Sequence, residues 1–230
     1  MKKMKRPLAI VAILCVAIAT SVLATWLSMI VEENPLGIET IEHGDAPAGR
    51  TIDWDSMPDT VIAWVEVPGT SIDEPIVQAS KQSPNAYLYE DAMGQGAYGT
   101  PYVDWECSID SRFVMIYGHH MSDGSAFADF ACFIDEGFAR DHDRIIVYKR
   151  TGEVLKLEPV AVDVVNASRE TLVIDQEADF KEIVERSDLI LREPEDEGQL
   201  FAFTTCSYQT RNSRTIVFAK TEIPSALYLK

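Results

Sequence analysis

Three residues whose chemistry together supports acyl transfer stand at the ends of apolar runs in this 230-residue chain. Cys206 closes the run "LFAFTTC", Arg214 follows eight residues later, and His119 follows Gly118 at the end of "FVMIYG". If the runs on either side of the polar loop pair as antiparallel strands, Arg214 returns beside Cys206, with Arg211 inside the loop as the second candidate. A nearby cation favours the thiolate, which is the nucleophilic form of cysteine.

A cysteine, a histidine and an arginine are sufficient for this chemistry. The thiolate would attack an amide carbonyl, an imidazolium would protonate the leaving amine, and the guanidinium would hydrogen-bond the oxyanion or the substrate backbone. Each residue alone also has a structural interpretation, since a single cysteine at the end of an apolar strand is commonly a small core residue. The prediction therefore depends on the three residues meeting in one groove.

His120 directly follows His119, and adjacent side chains of an extended chain point to opposite sides. At most one of the two rings should face a given site. A two-histidine metal site is not expected, because ligands at neighbouring positions cannot converge on one ion, and the sequence has no Cys-x-x-Cys or His-x-x-x-His spacing. These residues therefore predict no metal site.

Short β-like runs separated by turn residues should position these side chains. The runs are 60–69, 70–79, 100–104, 113–118, 144–150, 153–165, 200–206 and 215–222. Seven or eight strands at this spacing predict a mainly β fold that closes into a barrel or packs as a sandwich. Two windows with apolar residues at helical spacing, 125–135 and 175–190, interrupt the strands.

The amino-terminal residues have the pattern of a membrane anchor. A basic tail at 1–7 precedes an uncharged, mostly apolar stretch at 8–31, which as a helix of about 24 residues would span a bilayer. Because basic residues tend to stay in the cytoplasm, we expect a linker at 32–57 and a catalytic domain at 58–230 outside the membrane. A cleaved signal peptide is the alternative, with "SVLA" at 21–24 as its processing site.

Charge argues against one class of partner, and the cysteine content argues against one class of fold. The formal net charge is −17 at pH 7 although the tail is basic, so the rest of the chain should repel nucleic acid. Outside the apolar stretch the sequence holds only Cys107, Cys132 and Cys206, too few for a disulfide scaffold. A bridge between Cys107 and Cys132 remains open and would leave Cys206 free.

Four segments resemble the sortase family, and within it class B. They are "AWVEVPGTSIDEPIVQ" (63–78), "YLYED" with "GTPYVD" (87–104), "RFVMIYGHHMSDGSAF" (112–127) and "AFTTCSY" with "NSRTIVFAK" (202–220). They cover about residues 60–221 in the family's order. The resemblance implies a closed eight-stranded sortase-type β-barrel with a few helices, behind an amino-terminal transmembrane helix. It also implies a longer helix before the cysteine strand, which the window 175–190 fits.

The resemblance assigns roles to individual residues. It implies catalysis by His119, Cys206 and Arg214, and substrate contacts by Thr205, His120 and Ser207. The family's signature Thr-Leu-x-Thr-Cys stands here as Ala202-Phe203-Thr204-Thr205-Cys206, so only the last two positions match. A wall of the substrate groove formed by the first two positions should therefore be reshaped.

The implied function is that of a single-pass membrane transpeptidase of a Gram-positive-type cell envelope, with its catalytic domain outside the cell. Its substrate would be a secreted protein with a carboxy-terminal sorting motif of the Leu-Pro-x-Thr-Gly or Asn-Pro-x-Thr-x kind. Cys206 would form a thioester after the threonine and pass the substrate to an amine of a peptidoglycan precursor or of a pilin. The resemblance implies that no metal or organic cofactor is required.

Two other functions compete with transpeptidation. One is a cysteine peptidase that hydrolyses its substrate, and the other is a membrane-tethered binding module without chemistry. His119 precedes Cys206 by 87 residues, whereas in papain-like peptidases the cysteine comes first, so the order favours the transpeptidase. The complete set of histidine, cysteine and arginine disfavours an inactive module.

Overall fold

The computed structural model describes residues 50–96, 98–169, 175–193, 198–207 and 212–222. The predicted tail, anchor and most of the linker precede residue 50 and lie outside the described residues, as does Arg211. Within the described ranges, no helix has the length and apolar character needed to cross a membrane.

The described residues contain nine β-strands, which form one sheet. They are β1 (Val61–Glu66), β2 (Asp73–Gln78), β3 (Tyr102–Val103), β4 (Phe113–Gly118), β5 (Ile145–Lys149), β6 (Val154–Asn166), β7 (Leu189–Ile190), β8 (Leu200–Ser207) and β9 (Ser213–Thr221). The neighbour order is β5-β1-β2-β3-β4-β8-β9-β6, and β6 pairs back with β5. Eight strands therefore close the predicted barrel, while β7 pairs only with β6.

The pattern of apolar residues in each strand matches the burial of that strand in the barrel. β1 alternates between buried and half-exposed residues, the pattern of a strand with one face in the core. β4 is buried at its first four residues and β8 at all but Cys206, and a second apolar layer, formed by the buried phenylalanines of the segment 128–134, packs against β8. Phe130 of that layer stacks on Phe203 of β8, with ring centroids 4.9 Å apart. Each predicted β run overlaps one observed strand.

The helices are shorter than the windows that predicted them. In the first window a 3-10 helix spans Ala128–Ile134, and α1 (Glu136–Asp141) follows it. Asp135 is the N-cap of α1, because its carboxylate accepts a hydrogen bond from the Phe138 N–H. In the second window only α2 (Phe180–Glu185) is helical. The longer helix expected at 175–190 is therefore wrong in extent, because the chain after α2 extends and pairs with β6 as β7.

The two strands that carry the candidate histidine and cysteine are neighbours in the barrel wall. β4 and β8 run parallel, in a register from Phe113 opposite Leu200 to Gly118 opposite Thr205. β8 also pairs antiparallel with β9 on its other side. The carboxyl ends of β4 and β8 thus meet the start of β9 at one end of the barrel.

Candidate active site

Cys206 and Arg214 lie directly opposite each other on β8 and β9. Opposed residues of an antiparallel pair point to the same face, with Cβ atoms about 4.5–5.5 Å apart. Both residues are half-buried, and the guanidinium Nη1 of Arg214 donates to the Ser213 carbonyl at 3.1 Å and to the Asn212 side-chain oxygen at 3.4 Å. The hairpin therefore places the arginine opposite the cysteine, as the expected antiparallel pairing predicted.

His119 lies on the other side of Cys206, just after the end of β4, which runs parallel to β8. The pairing of β4 with β8 ends at Gly118 opposite Thr205, so His119 and Cys206 each follow the last pair by one residue. Parallel strands lie about 4.8 Å apart, which makes the two residues neighbours at the rim of the barrel. All three predicted catalytic residues thus lie on adjacent strand ends, and their catalytic roles stay a prediction.

The loop between β2 and β3 holds the ring of His119. Its Nε2 is hydrogen-bonded to the carbonyl oxygen of Leu88. Since a carbonyl oxygen only accepts, Nε2 must carry a proton, and Nδ1 is left as the nitrogen that can exchange one with a substrate. Gly99 lies against the same ring: a Cβ added there would be 2.5 Å from the His119 Cδ2 and 2.8 Å from its Nε2.

His120 has a different partner. Its Nδ1 lies 2.9 Å from the main-chain carbonyl oxygen of Cys206, and its ring is half-buried. The two histidines therefore engage different groups, as adjacent residues of an extended chain should. A substrate contact by His120 stays a prediction, whereas its bond to the backbone of Cys206 was not anticipated from the sequence.

The other two predicted substrate contacts are buried. Thr205 is 1% exposed and Ser207 3% exposed, and the Ser207 hydroxyl donates to the Ser213 hydroxyl at 3.1 Å across the hairpin. Among the described residues the Thr205 hydroxyl has no hydrogen-bond partner. A direct contact of either side chain with substrate stays a prediction, and this burial favours a role in packing the β8–β9 hairpin.

The remaining thiols differ from Cys206 in their surroundings. Cys107, Cys132 and Cys206 are all free, so the possible bridge between the first two is not formed. Burial raises the pKa of Cys107 to about 11. Desolvation also raises the pKa of Cys132, helped by the charges of Asp129 and Asp135. Both thiols are therefore held in the protonated, unreactive form near neutral pH.

No cluster of three or more His, Cys, Asp or Glu side chains is arranged to hold a metal ion in the part of the chain that the structure describes. Two residues at the site escaped the sequence analysis, Leu88 and Gly99. The Gly-Thr-Pro sequence at 99–101 indicates a turn, and Gly99 has a φ of +67°. The sequence does not show which ring packs on that turn, because the contact joins segments 20 residues apart.

Residues 65–222 match the family model of the sortase domain. The chain therefore belongs to the sortase family, and the resemblance noted from its motifs is confirmed. It is 31% identical over 85 residues to Sortase B of Listeria monocytogenes, an alignment that covers 36% of this chain and 34% of that protein. The chain thus spans about a third of the length of this curated relative.

Solved structures extend the similarity to the whole barrel. The structure of Clostridium perfringens Sortase B is 25% identical with a TM-score of 0.61, over 71% of this chain and 94% of that one. A Streptococcus pyogenes class B sortase involved in pilus biogenesis is 22% identical with a TM-score of 0.63, over 74% of this chain and 98% of that one. The class B resemblance is therefore confirmed.

Proposed function

We propose that this sortase is a membrane-anchored cysteine transpeptidase that joins secreted proteins to an amine of the cell envelope. The observation that carries the proposal is the register of the β8–β9 hairpin, which sets Cys206 opposite Arg214 at the strand end next to His119. Sortases are cysteine transpeptidases, and an intact set of the three side chains at one rim supports the same chemistry here.

In the first step the Cys206 thiolate attacks the carbonyl carbon of the sorting-motif threonine. The peptide C–N bond breaks, the leaving amine takes a proton from His119, and the acyl group remains on sulfur as a thioester. Arg214 donates hydrogen bonds to the developing oxyanion or to the substrate backbone. Its planar, permanently charged fork suits either task.

In the second step an acceptor amine attacks the thioester, gives up a proton to His119, and releases the thiolate of Cys206. The acceptor would belong to a peptidoglycan precursor or to a pilin. The pilin alternative is favoured by the similarity to the Streptococcus pyogenes class B sortase, which is involved in pilus biogenesis. Water in place of the amine would make the enzyme a peptidase, which is the second candidate function.

The proposal also places the catalytic domain outside the cell. Support comes from the sequence alone, in which a basic tail and a long apolar stretch precede the linker to the barrel. An extracellular barrel would meet secreted substrates and envelope amines without a transport step. Protease added to intact cells should digest the barrel and spare the tail.

The test is thioester formation by the full-length chain in detergent. We expect peptides with Leu-Pro-x-Thr-Gly or Asn-Pro-x-Thr-x motifs to give an acyl adduct in the intact-protein mass, and added amine to convert the adduct to a ligated product. Cys206→Ala should give no adduct, and Arg214→Lys should slow it by about 100-fold, because a point charge cannot replace the planar fork.

Cys132→Ala is the matched control, since it removes an exposed thiol that is not on the β4–β8–β9 rim. It should leave acylation at the wild-type rate. An adduct that persists in Cys206→Ala would exclude Cys206 as the nucleophile. Release of hydrolysed peptide at a rate that no amine can alter would identify the chain as a peptidase.

A further inference from the structure

The backbone pairing between β4 and β8 stops just before the proposed catalytic residues. Gly118 opposite Thr205 is the last pair of the parallel ladder, and His119 and Cys206 come next. The end of a ladder is where strands normally fray, because fewer hydrogen bonds hold each residue. On its other side Cys206 stays paired with Arg214 of β9, so beyond Gly118 the strand of the nucleophile is held by the hairpin but no longer by β4.

The imidazole of His120 connects the two strands beyond this last pair. Its Nδ1 lies 2.9 Å from the carbonyl oxygen of Cys206. A carbonyl oxygen cannot donate, so the ring donates its Nδ1 proton. The hydrogen bond is therefore directed from the β4 side to the peptide group that joins Cys206 to Ser207.

The backbone that carries this ring is itself fixed. His120 forms an isolated antiparallel bridge with Ala126. One residue earlier, the N–H of Phe127 donates to the carbonyl oxygen of His119 at 2.8 Å. Phe127 is fully buried against Gly118. The donor is thus held by a closed turn packed on the core, and only the short imidazole separates that turn from the nucleophile's backbone.

The geometry points to His120 as a positioning residue that, through this one hydrogen bond, fixes the main chain of Cys206 on the side where the ladder with β4 has ended. The inference rests on the proposed function, because it assumes that Cys206 is the nucleophile. The orientation of the Cys206–Ser207 peptide helps to set where the sulfur points. Since a misplacement of about 1 Å can cost about 100-fold in rate, a single bond at this peptide is enough to matter.

Covalent geometry supplies a precise test. The donor nitrogen of histidine at Nδ1 is bonded to Cγ, and so is the amide nitrogen Nδ2 of asparagine. Asparagine can therefore present an N–H at the same distance from the main chain, whereas the amide of glutamine lies one carbon further out. We expect His120→Asn to restore most of the rate lost in His120→Ala, and His120→Gln to restore little.

The measurement is the rate of thioester formation at saturating and limiting peptide, by the full-length chain. The fraction of folded protein in each variant is first measured by circular dichroism, so that a loss of folded protein does not lower the result. His120→Ala should lower kcat for acylation by about tenfold or more and leave KM within about twofold. A substrate contact would instead raise KM, and that outcome would overturn the positioning role.

His142 provides the matched control. Its Nδ1 also hydrogen-bonds a main-chain carbonyl, that of Phe138, at 2.8 Å, but at the end of α1 rather than beside Cys206. His142→Ala removes the same kind of bond and should keep the wild-type kcat. An equal loss in both alanine variants, or full activity of His120→Ala, would overturn the inference.

The two proposals fail in different ways. If wild-type protein forms no thioester with any motif peptide, or if Cys206→Ala still forms one, the proposed function is at fault. If wild-type protein acylates on Cys206 and His120→Ala does so equally well, only the positioning role of His120 is lost.

Discussion

At the scale of single residues, one carbonyl oxygen sets which ring nitrogen of His119 faces the substrate. The hydrogen bond to Leu88 commits Nε2 as a donor, so proton exchange with substrate falls to Nδ1. Gly99 leaves room for this arrangement because it has no side chain and accepts a φ of +67°. The placement of the proposed acid therefore depends on a glycine in a different loop.

Replacing that glycine should disturb catalysis more than stability. In Gly99→Ala the new Cβ would lie 2.5 Å from the His119 Cδ2 and 2.8 Å from the Tyr87 carbonyl oxygen, so the ring must move. We expect kcat/KM for peptide cleavage to fall by about 100-fold. The left-handed backbone should add a stability loss of about 1–2 kcal/mol, measured by denaturant unfolding.

Gly94→Ala is the control that separates the loss of activity in Gly99→Ala from its loss of stability. Gly94 has a similar φ of +73°, but no atom of the described residues outside its own chain neighbours lies within 4 Å of a Cβ added there. It should lose only the part of the stability that comes from the left-handed backbone, and it should keep its activity. If Gly99→Ala is no less active than Gly94→Ala, the ring contact has no part in catalysis.

At the scale of elements, the turn after β4 fixes the backbone of the two histidines. After the turn, Phe127 packs against Gly118. Ser71 holds the turn in place, because its hydroxyl donates to the Gly124 carbonyl at 2.6 Å and its main-chain N–H donates to Asp129 at 2.8 Å. A Cβ at Gly118 would lie 2.3 Å from the Phe127 ring. The absence of a side chain at the end of β4 therefore lets the turn close.

Gly118→Ala should separate the turn from the strand. Real Cβ atoms do not approach a ring so closely, and overpacking a core commonly costs about 1–3 kcal/mol. We expect the melting temperature to fall by about 2–4 °C for each kcal/mol, together with a loss of acylation rate.

Gly96→Ala is the comparison for this change. Gly96 has no positive φ, and the nearest atom to its added Cβ is the Tyr89 carbonyl oxygen at 3.7 Å, an ordinary contact. It should leave both the melting temperature and the acylation rate close to wild type. If the two alanine variants have equal effects, the contact between Gly118 and Phe127 contributes to neither the melting temperature nor the acylation rate.

At the scale of the whole molecule, a closed barrel carries a large negative charge. The chain has 37 Asp and Glu residues against 20 Lys and Arg, and several of the cations are already paired. Arg50 bonds both Glu66 and Asp73, and Lys149 bonds Asp110 and Glu153. Such pairs contribute about 0–1 kcal/mol each when solvent reaches them, so repulsion among the excess carboxylates should dominate.

Salt should therefore stabilise the protein. Raising NaCl from about 20 mM to about 500 mM shortens the screening length from roughly 20 Å to about 4 Å, which weakens long-range repulsion more than contact pairs. We expect the melting temperature of the full-length chain to rise by a few degrees, roughly 1 kcal/mol in the free energy of unfolding.

Sucrose is a suitable control, because it favours compact states by exclusion without screening charge. Sucrose should act equally at low and high NaCl, whereas the effect of NaCl itself should saturate once the screening length falls below the spacing of surface charges. A melting temperature that falls with added NaCl would mean that the local ion pairs outweigh the net charge.

The strands and the cysteine–arginine pair were predictable from the sequence for a local reason, whereas the closure of the strands into a barrel was implied only by the family resemblance. Short β-branched and apolar runs bounded by turn residues indicate strands without knowledge of the rest of the chain, which is why each predicted run overlaps a strand. Cys206 and Arg214 flank one short loop, so a hairpin brings them together whatever the rest of the chain does. The motifs before and after them were enough to indicate the family.

Only the tertiary structure decided the contacts between distant segments. The parallel neighbours β4 and β8, the carbonyl of Leu88 on His119, and the ring of His120 on Cys206 join residues 31 to 87 positions apart. α2 is short because pairing with β6 makes a strand of residues that a helix would otherwise use. Local sequence sets what each segment can form, but the packing of the closed barrel sets which segments meet, and that depends on the whole chain at once.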